Sequence, residues 1–120
     1  MEKTFRKVEF EPVEKIPEWS NNLVMKKLLS ATEQHNSISM VWVEIDGSHR
    51  ALRTHSKERI YYVLEGSFTF TIGESENIFV AANDIITLPY LSTYSFQGAG
   101  KYLVMNIPAF KEGDDEYVEI

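Results

Sequence analysis

Arginine, histidine and tyrosine recur at two-residue intervals in this chain: Arg53 with His55 and Arg59 with Tyr61 inside RTHSKERIYYVLEG, then Tyr94 with Phe96. Residues two apart on a strand face the same way, so each pair is expected to present its side chains together. A guanidinium fork matches carboxylate or phosphate oxygens. An imidazole titrates near neutral pH and can act as a general base, with a phenol as proton donor. If these faces share one interior, as the motif frame described below implies, the residues expected to contact a ligand are Arg53, His55, Arg59, Tyr61, Tyr94 and Phe96. His55 and Tyr94 are the candidate catalytic pair, with Tyr61 as an alternative donor.

Arginines inside a barrel need counter-charges, because a buried unpaired charge costs several kcal/mol. Three arrangements answer this. An anionic ligand could supply the charge, Glu44 or Glu58 could supply it internally, or the side chains could run to the rim and sit in water. The first is the leading expectation. His35 and His49 lie in or beside polar loops and read as surface histidines.

The elements that must hold these residues are short strands. SISMVWVEI has period two, with Ser39, Val41, Val43 and Ile45 on one side and Ile38, Met40, Trp42 and Glu44 on the other. Asp46-Gly47 follows as a turn, RIYYVLEG and SFTFTI read as a hairpin about Gly66, and Gly98-Ala99-Gly100 reads as a turn before KYLVMNI. IFVA and IITLP are further strands, LVMKKLLS is taken as a strand, and PEWSNN could form a helical turn. The acidic end KEGDDEYVEI is either solvated or an edge strand through Tyr117, Val118 and Ile120. Many short antiparallel strands in 120 residues point to an all-β jelly-roll barrel, which hides its edges. The expected layout is one domain, with an N-terminal arm over 1–22, the barrel over 23–110 and an acidic tail over 111–120. Phe5, Val8, Phe10 and Val13 have strand-like spacing that could pair with a neighbouring barrel, so a homodimer is expected.

A net charge of -6 and a pI near 5.0 disfavour nucleic acid and anionic membrane surfaces as partners. Without cysteine there is no disulfide, thiolate nucleophile or thiolate metal site. The first residues lack the apolar run of a signal peptide and no later run is long enough to span a bilayer, so the expected location is the cytoplasm. No phosphate-cradling glycine loop or nucleophile elbow is present.

The frame around these residues resembles the cupin family. Its first motif runs glycine, five residues, His-x-His, three or four residues, Glu, six residues, glycine, and Gly47 and Gly66 stand at the right interval. Its second motif matches NDIITLPYLSTYSFQG around Pro89 in spacing. The resemblance covers roughly Ser37 to Pro108 and implies a double-stranded β-helix barrel. The metal-ligand positions it implies fall on Arg53, His55, Arg59 and Tyr94, and the motif-two glycines are replaced by Asn83 and Leu91. Protonated guanidinium groups repel a divalent cation, so neither metal nor other cofactor is expected. A bulge that turned Glu58 inward beside His55 would still leave only two ligands.

Three functions follow. The first is a metal-independent domain binding a small, anionic molecule such as a carboxylate or sugar phosphate. The second is a sugar or keto-acid isomerase, epimerase or lyase with His55 as base, resembling the metal-free enzymes of the wider cupin group. The third is a structural or regulatory dimer.

Overall fold

The computed structural model describes residues 5–74 and 76–119. Three long antiparallel strands form the body of the barrel: β3 (Ser39–Thr54), β4 (Glu58–Ile72) and β7 (Thr93–Ile107). β7 lies between the other two and pairs with each along nearly its whole length. β1 (Ile16–Glu18) and β2 (Leu23–Leu29) extend the sheet beyond β3. β5 (Glu76–Ala81) and β6 (Ile85–Pro89) pair with the two halves of β4. β8 (Asp115–Tyr117) returns from the C-terminal end to pair with the last residues of β3. The result is an all-β jelly-roll barrel, with a single 3-10 turn over Trp19–Asn21 as its helical element among the described residues. No helix there is long and apolar enough to cross a membrane.

Period-two alternation sends Val43, Ile45, Tyr61, Val63, Phe68, Phe70, Phe96 and Tyr102 into one core. Aromatic rings fill much of it. Phe70 stacks on Phe96 at 4.6 Å, and Tyr61 meets Phe70, Phe96 and Tyr102 edge-on at 5.2–5.4 Å.

Three expected turns are instead interior to strands. Asp46-Gly47 lies within β3, Gly66 within β4, and Gly98-Ala99-Gly100 within β7. These glycines align across the sheet: Gly47 opposes Gly98, and Gly66 opposes Gly100. A Cβ at Gly66 would stand 2.0 Å from the Ala99 carbonyl oxygen, and one at Gly100 2.0 Å from that of Glu65. The residues mark close backbone approach where long strands wrap a small barrel, which sequence alone does not separate from a turn.

The N-terminal arm does not form the expected strand. Phe10 meets Trp42 edge-on at 5.2 Å, and its carbonyl accepts a 2.9 Å hydrogen bond from Lys26 Nζ, which also sits over the Phe10 ring. Around Phe10 the arm thus packs on the outer face of its own barrel, while Phe5 and Val8 stay exposed.

Candidate functional site

A β-bulge on β3 decides which side chains reach the interior. His49 opposes Phe96 on β7 while Leu52 opposes Tyr94, so Arg50 and Ala51 together stand against Ser95. One extra residue reverses the alternation, and the inward series runs Val43, Ile45, His49, Leu52. Arg53 and His55 therefore share a direction, as expected, but it is outward. Arg53 is 44% exposed at its side chain and lies 3.8 Å from Glu116, while His55 Nε2 donates to Glu116 Oε1 at 2.8 Å on the same rim. The placement of Arg53 and His55 inside the barrel is corrected on this ground. Hydrogen bonding to His55, with Arg53 nearby, holds the Glu116 carboxyl below its usual range.

The histidine inside is His49. It lines the cavity, stacks on Phe96 at 4.8 Å and lies beneath Tyr117 at 6.4 Å. Its reading as a surface residue is corrected: it is 9% exposed. His49 Nδ1 is 2.9 Å from the Arg50 carbonyl oxygen. A carbonyl only accepts, so Nδ1 carries the proton and, in the neutral ring, Nε2 keeps its lone pair. Burial pushes the His49 pKa below its ordinary value, against the upward pull of the Arg50 carbonyl, Glu18 and Asp115; Arg59 adds to the lowering. His49 is a neutral imidazole at neutral pH.

On β4, Arg59 and Tyr61 point inward, as does Tyr94 on β7. The Arg59 guanidinium is almost fully buried and fully committed. Nε donates to Asn106 Oδ1 at 2.7 Å, Nη1 to Tyr94 Oη at 3.0 Å, and Nη2 to Ser56 Oγ at 3.4 Å. Nη2 also lies 2.5 Å from Asp115 Oδ1, off the line of a good hydrogen bond, so the contact is an ion pair rather than an aligned bond. Burial opposes the Arg59 charge, but Tyr94, Tyr61 and Asp115 outweigh it and hold the group protonated. The expected internal counter-charges are corrected too: Glu44 and Glu58 are exposed, and the partner is Asp115.

These bonds have a direction. Arginine can only donate, so Tyr94 Oη accepts from it. Tyr94 Oη has Tyr61 Oη at 2.5 Å as its other partner, so its own proton goes there. Tyr61 is then left with a hydroxyl proton to offer to the cavity it lines. Burial raises both tyrosine pKa values, with Arg59 pulling each back, so both stay protonated at neutral pH. Phe96 is a packing residue beneath His49 and Phe70.

The cavity encloses about 200 Å³. Glu18 and Asp115 face Lys27 and Arg59 around it, so its formal charges cancel. β8 supplies one wall: Asp115 and Tyr117 point in, and Glu116 points out. Two site residues, His49 and Asp115, were missed in the sequence. Continuing the β3 alternation through Gly47 places His49 on the Val43–Ile45 face, whereas nothing local marks Asp115 as a partner of Arg59.

The donors at the usual metal positions do not fit a metal. Two are guanidinium groups, one is a phenol bonded to Arg59, and His55 faces outward onto Glu116. Among the described residues no three His, Asp or Glu side chains gather as a ligand set.

Comparison with known structures places this barrel. Pac13, described as a nucleoside dehydratase, superposes with a TM-score of 0.82 at 23% identity, covering 98% of this chain and 93% of its own. The polyketide cyclase RemF from Streptomyces resistomycificus gives 0.79 at 16% identity over 98% and 87%. An RmlC-like cupin from Shewanella frigidimarina gives 0.73 at 16% over 93% and 98%. The fold is that of a cupin. At these identities the likeness is one of fold. Streptomyces Pac13 is also known with uridine in a histidine-to-glutamine form and two tyrosine-to-phenylalanine forms. No protein-family model and no curated protein matches this chain's sequence.

Proposed function

We propose that this cupin is a metal-independent lyase that removes water from a small, neutral, hydroxyl-bearing molecule, with His49 as base and Tyr61 as acid. The observation that carries the reading is His49: its Nδ1 proton is committed to the Arg50 carbonyl, and burial keeps the ring neutral, so Nε2 keeps its lone pair in a residue that lines the cavity. The step balances as a β-elimination. His49 Nε2 takes the proton from an activated carbon, that electron pair becomes the new C=C bond, and the C–O bond breaks. The departing hydroxyl takes the Tyr61 proton and leaves as water. Tyr94 and Arg59 stand behind Tyr61 to hold the phenolate until the imidazolium proton returns through cavity water.

A neutral ligand is favoured over an anion because Arg59 is already paired with Asp115 and Arg53 is outside. Glu18 and Asp115 offer acceptors for hydroxyl groups, and the Tyr61, Tyr102 and Tyr117 rings offer apolar faces. The likeness to Pac13 supports both the reaction class and the choice of first ligand. Binding without turnover is the second reading, and the same assay separates the two. Uridine is tested for binding by calorimetry, and a panel of nucleosides and sugars bearing a carbonyl beside the reacting carbon is followed by mass spectrometry for loss of one water. The proposal expects such loss, abolished by His49→Gln and unaffected by His55→Gln. Turnover surviving in His49→Gln would overturn it.

A further inference from the structure

The cavity as it stands is small. Its ~200 Å³ is below the roughly 300–1,000 Å³ of typical ligand pockets. One wall is different in kind from the others. β8 is three residues long and its backbone pairs with β3 alone, through Leu52–Tyr117, Arg53–Glu116 and Thr54–Asp115, while its side chains add the Asp115–Arg59 pair and a 3.1 Å hydrogen bond from Asn21 Nδ2 to Tyr117 Oη.

Its two faces carry separate contacts. Inward, Asp115 meets Arg59, and Tyr117 covers His49. Outward, Glu116 takes the hydrogen bond from His55 and lies near Arg53, in water, where such pairs hold only weakly. His49 and Tyr117 line the inner cavity and also an outer groove formed with Arg50, Ser95 and Glu119. The Tyr117 ring over His49 is therefore the partition between the two spaces, and the Arg50 guanidinium lies over the same ring, 3.9 Å from its centre. The turn before β8 is anchored independently: buried Asp114 accepts from Lys111 N and Nζ, and its carbonyl takes the His55 amide.

We propose that β8 is a gate on the His49 side of the cavity: docked, it covers that side with Tyr117 and seats Asp115 on Arg59; released, by parting of Glu116 from His55 and Arg53, it swings from the anchored turn and opens a second way in to His49. That the admitted molecule is a substrate rests on the reading above; the gate itself does not. Docking also delivers the counter-charge that fixes Arg59 behind Tyr94 and Tyr61, so closure completes the row of donors.

The chain has no cysteine, which allows a clean lock. Arg53 and Glu116 oppose each other directly and face outward. Opposed antiparallel residues have Cα atoms about 4.5–5.5 Å apart, within disulfide range. The double variant Arg53→Cys/Glu116→Cys is prepared oxidised, and separately reduced and capped with iodoacetamide. Both forms are treated with diethyl pyrocarbonate, and modification at His49 is followed by peptide mass spectrometry against His35 as internal reference. The gate predicts slower modification of His49 in the oxidised form than in the wild type, and faster in the capped form, while His35 is unchanged. Glu116→Ala, which removes only the latch, is expected to raise the His49 rate about three- to five-fold. Equal His49 rates in the oxidised and capped forms would overturn the proposal, as would a wild-type His49 that reacts as fast as His35. Neither readout involves turnover, so a failed gate and a failed lyase assignment are told apart.

Discussion

Asp115, the first residue of β8, reaches Arg59 on β4 at 2.5 Å and joins the C-terminal end of the chain to a guanidinium inside the barrel. Removing the carboxylate leaves a buried positive charge without its counter-ion. Asp115→Ala is expected to cost about 2–4 kcal/mol, on the scale of broken buried pairs and reduced by the partial exposure of Asp115. Urea unfolding checks it. A loss under 0.5 kcal/mol would mean that Tyr94, Asn106 and Ser56 suffice for Arg59.

Arg53→Ala is expected to change little. The side chain lies on the rim beside Glu116 and Thr93, so stability should stay within about 0.5 kcal/mol and uridine affinity should be unchanged. Affinity lost with Arg53 would return the ligand to the outer surface.

The fold was legible because its signals are local and repeated: period-two runs and the spacing from Gly47 to Gly66, even though those glycines lie inside strands rather than at turns. The site was legible on β4 and β7, where alternation holds through Arg59, Tyr61 and Val63 and through Tyr94 and Phe96, ahead of the β4 bulge after Val63. It was not legible on β3. The bulge at Arg50 and Ala51 has no residue signature, and one inserted residue exchanges His49 and Leu52 for Arg53 and His55. The same limit applies to Asp115, whose pairing with Arg59 depends on where the chain end returns.

Two tyrosine variants should separate binding from chemistry. Tyr61→Phe removes the donor facing the cavity and is expected to lower turnover about 10²–10⁴-fold while uridine binding persists. Tyr94→Phe leaves Arg59 Nη1 without its acceptor and Tyr61 without its donor, costing about 1–2 kcal/mol of stability and a smaller part of the rate. Steady-state kinetics beside calorimetry gives both quantities. Equal turnover in Tyr61→Phe and wild type would remove Tyr61 from the mechanism.

The lowered pKa of His49 sets a pH dependence. Between its ordinary value of 6.5 and the lower folded value, the unfolded chain binds the proton more readily than the folded one, so stability rises with pH across that interval. Stability from this residue is full above 6.5 and is lost as pH falls through that window. Glu116, also lowered, contributes in a separate window below its ordinary 4.5. Urea midpoints measured against pH should show the upper step vanish in His49→Gln; an upper step that persists would assign it elsewhere.

Metal dependence gives a further check. Dialysis against a chelator is expected to leave turnover and melting temperature unchanged, since guanidinium groups occupy the family's ligand positions. One stoichiometric transition metal after purification without added metal, lost together with activity on chelation, would contradict this.

The most direct measurement is of His49 itself. Long-range ¹H–¹⁵N NMR on ¹⁵N-labelled protein, with His49→Gln for assignment, reports which ring nitrogen is protonated and where the ring titrates. The account predicts a neutral ring with the proton on Nδ1, a bare Nε2, and titration below 6.5. A ring protonated on Nε2 at neutral pH, or one titrating above 6.5, would contradict it.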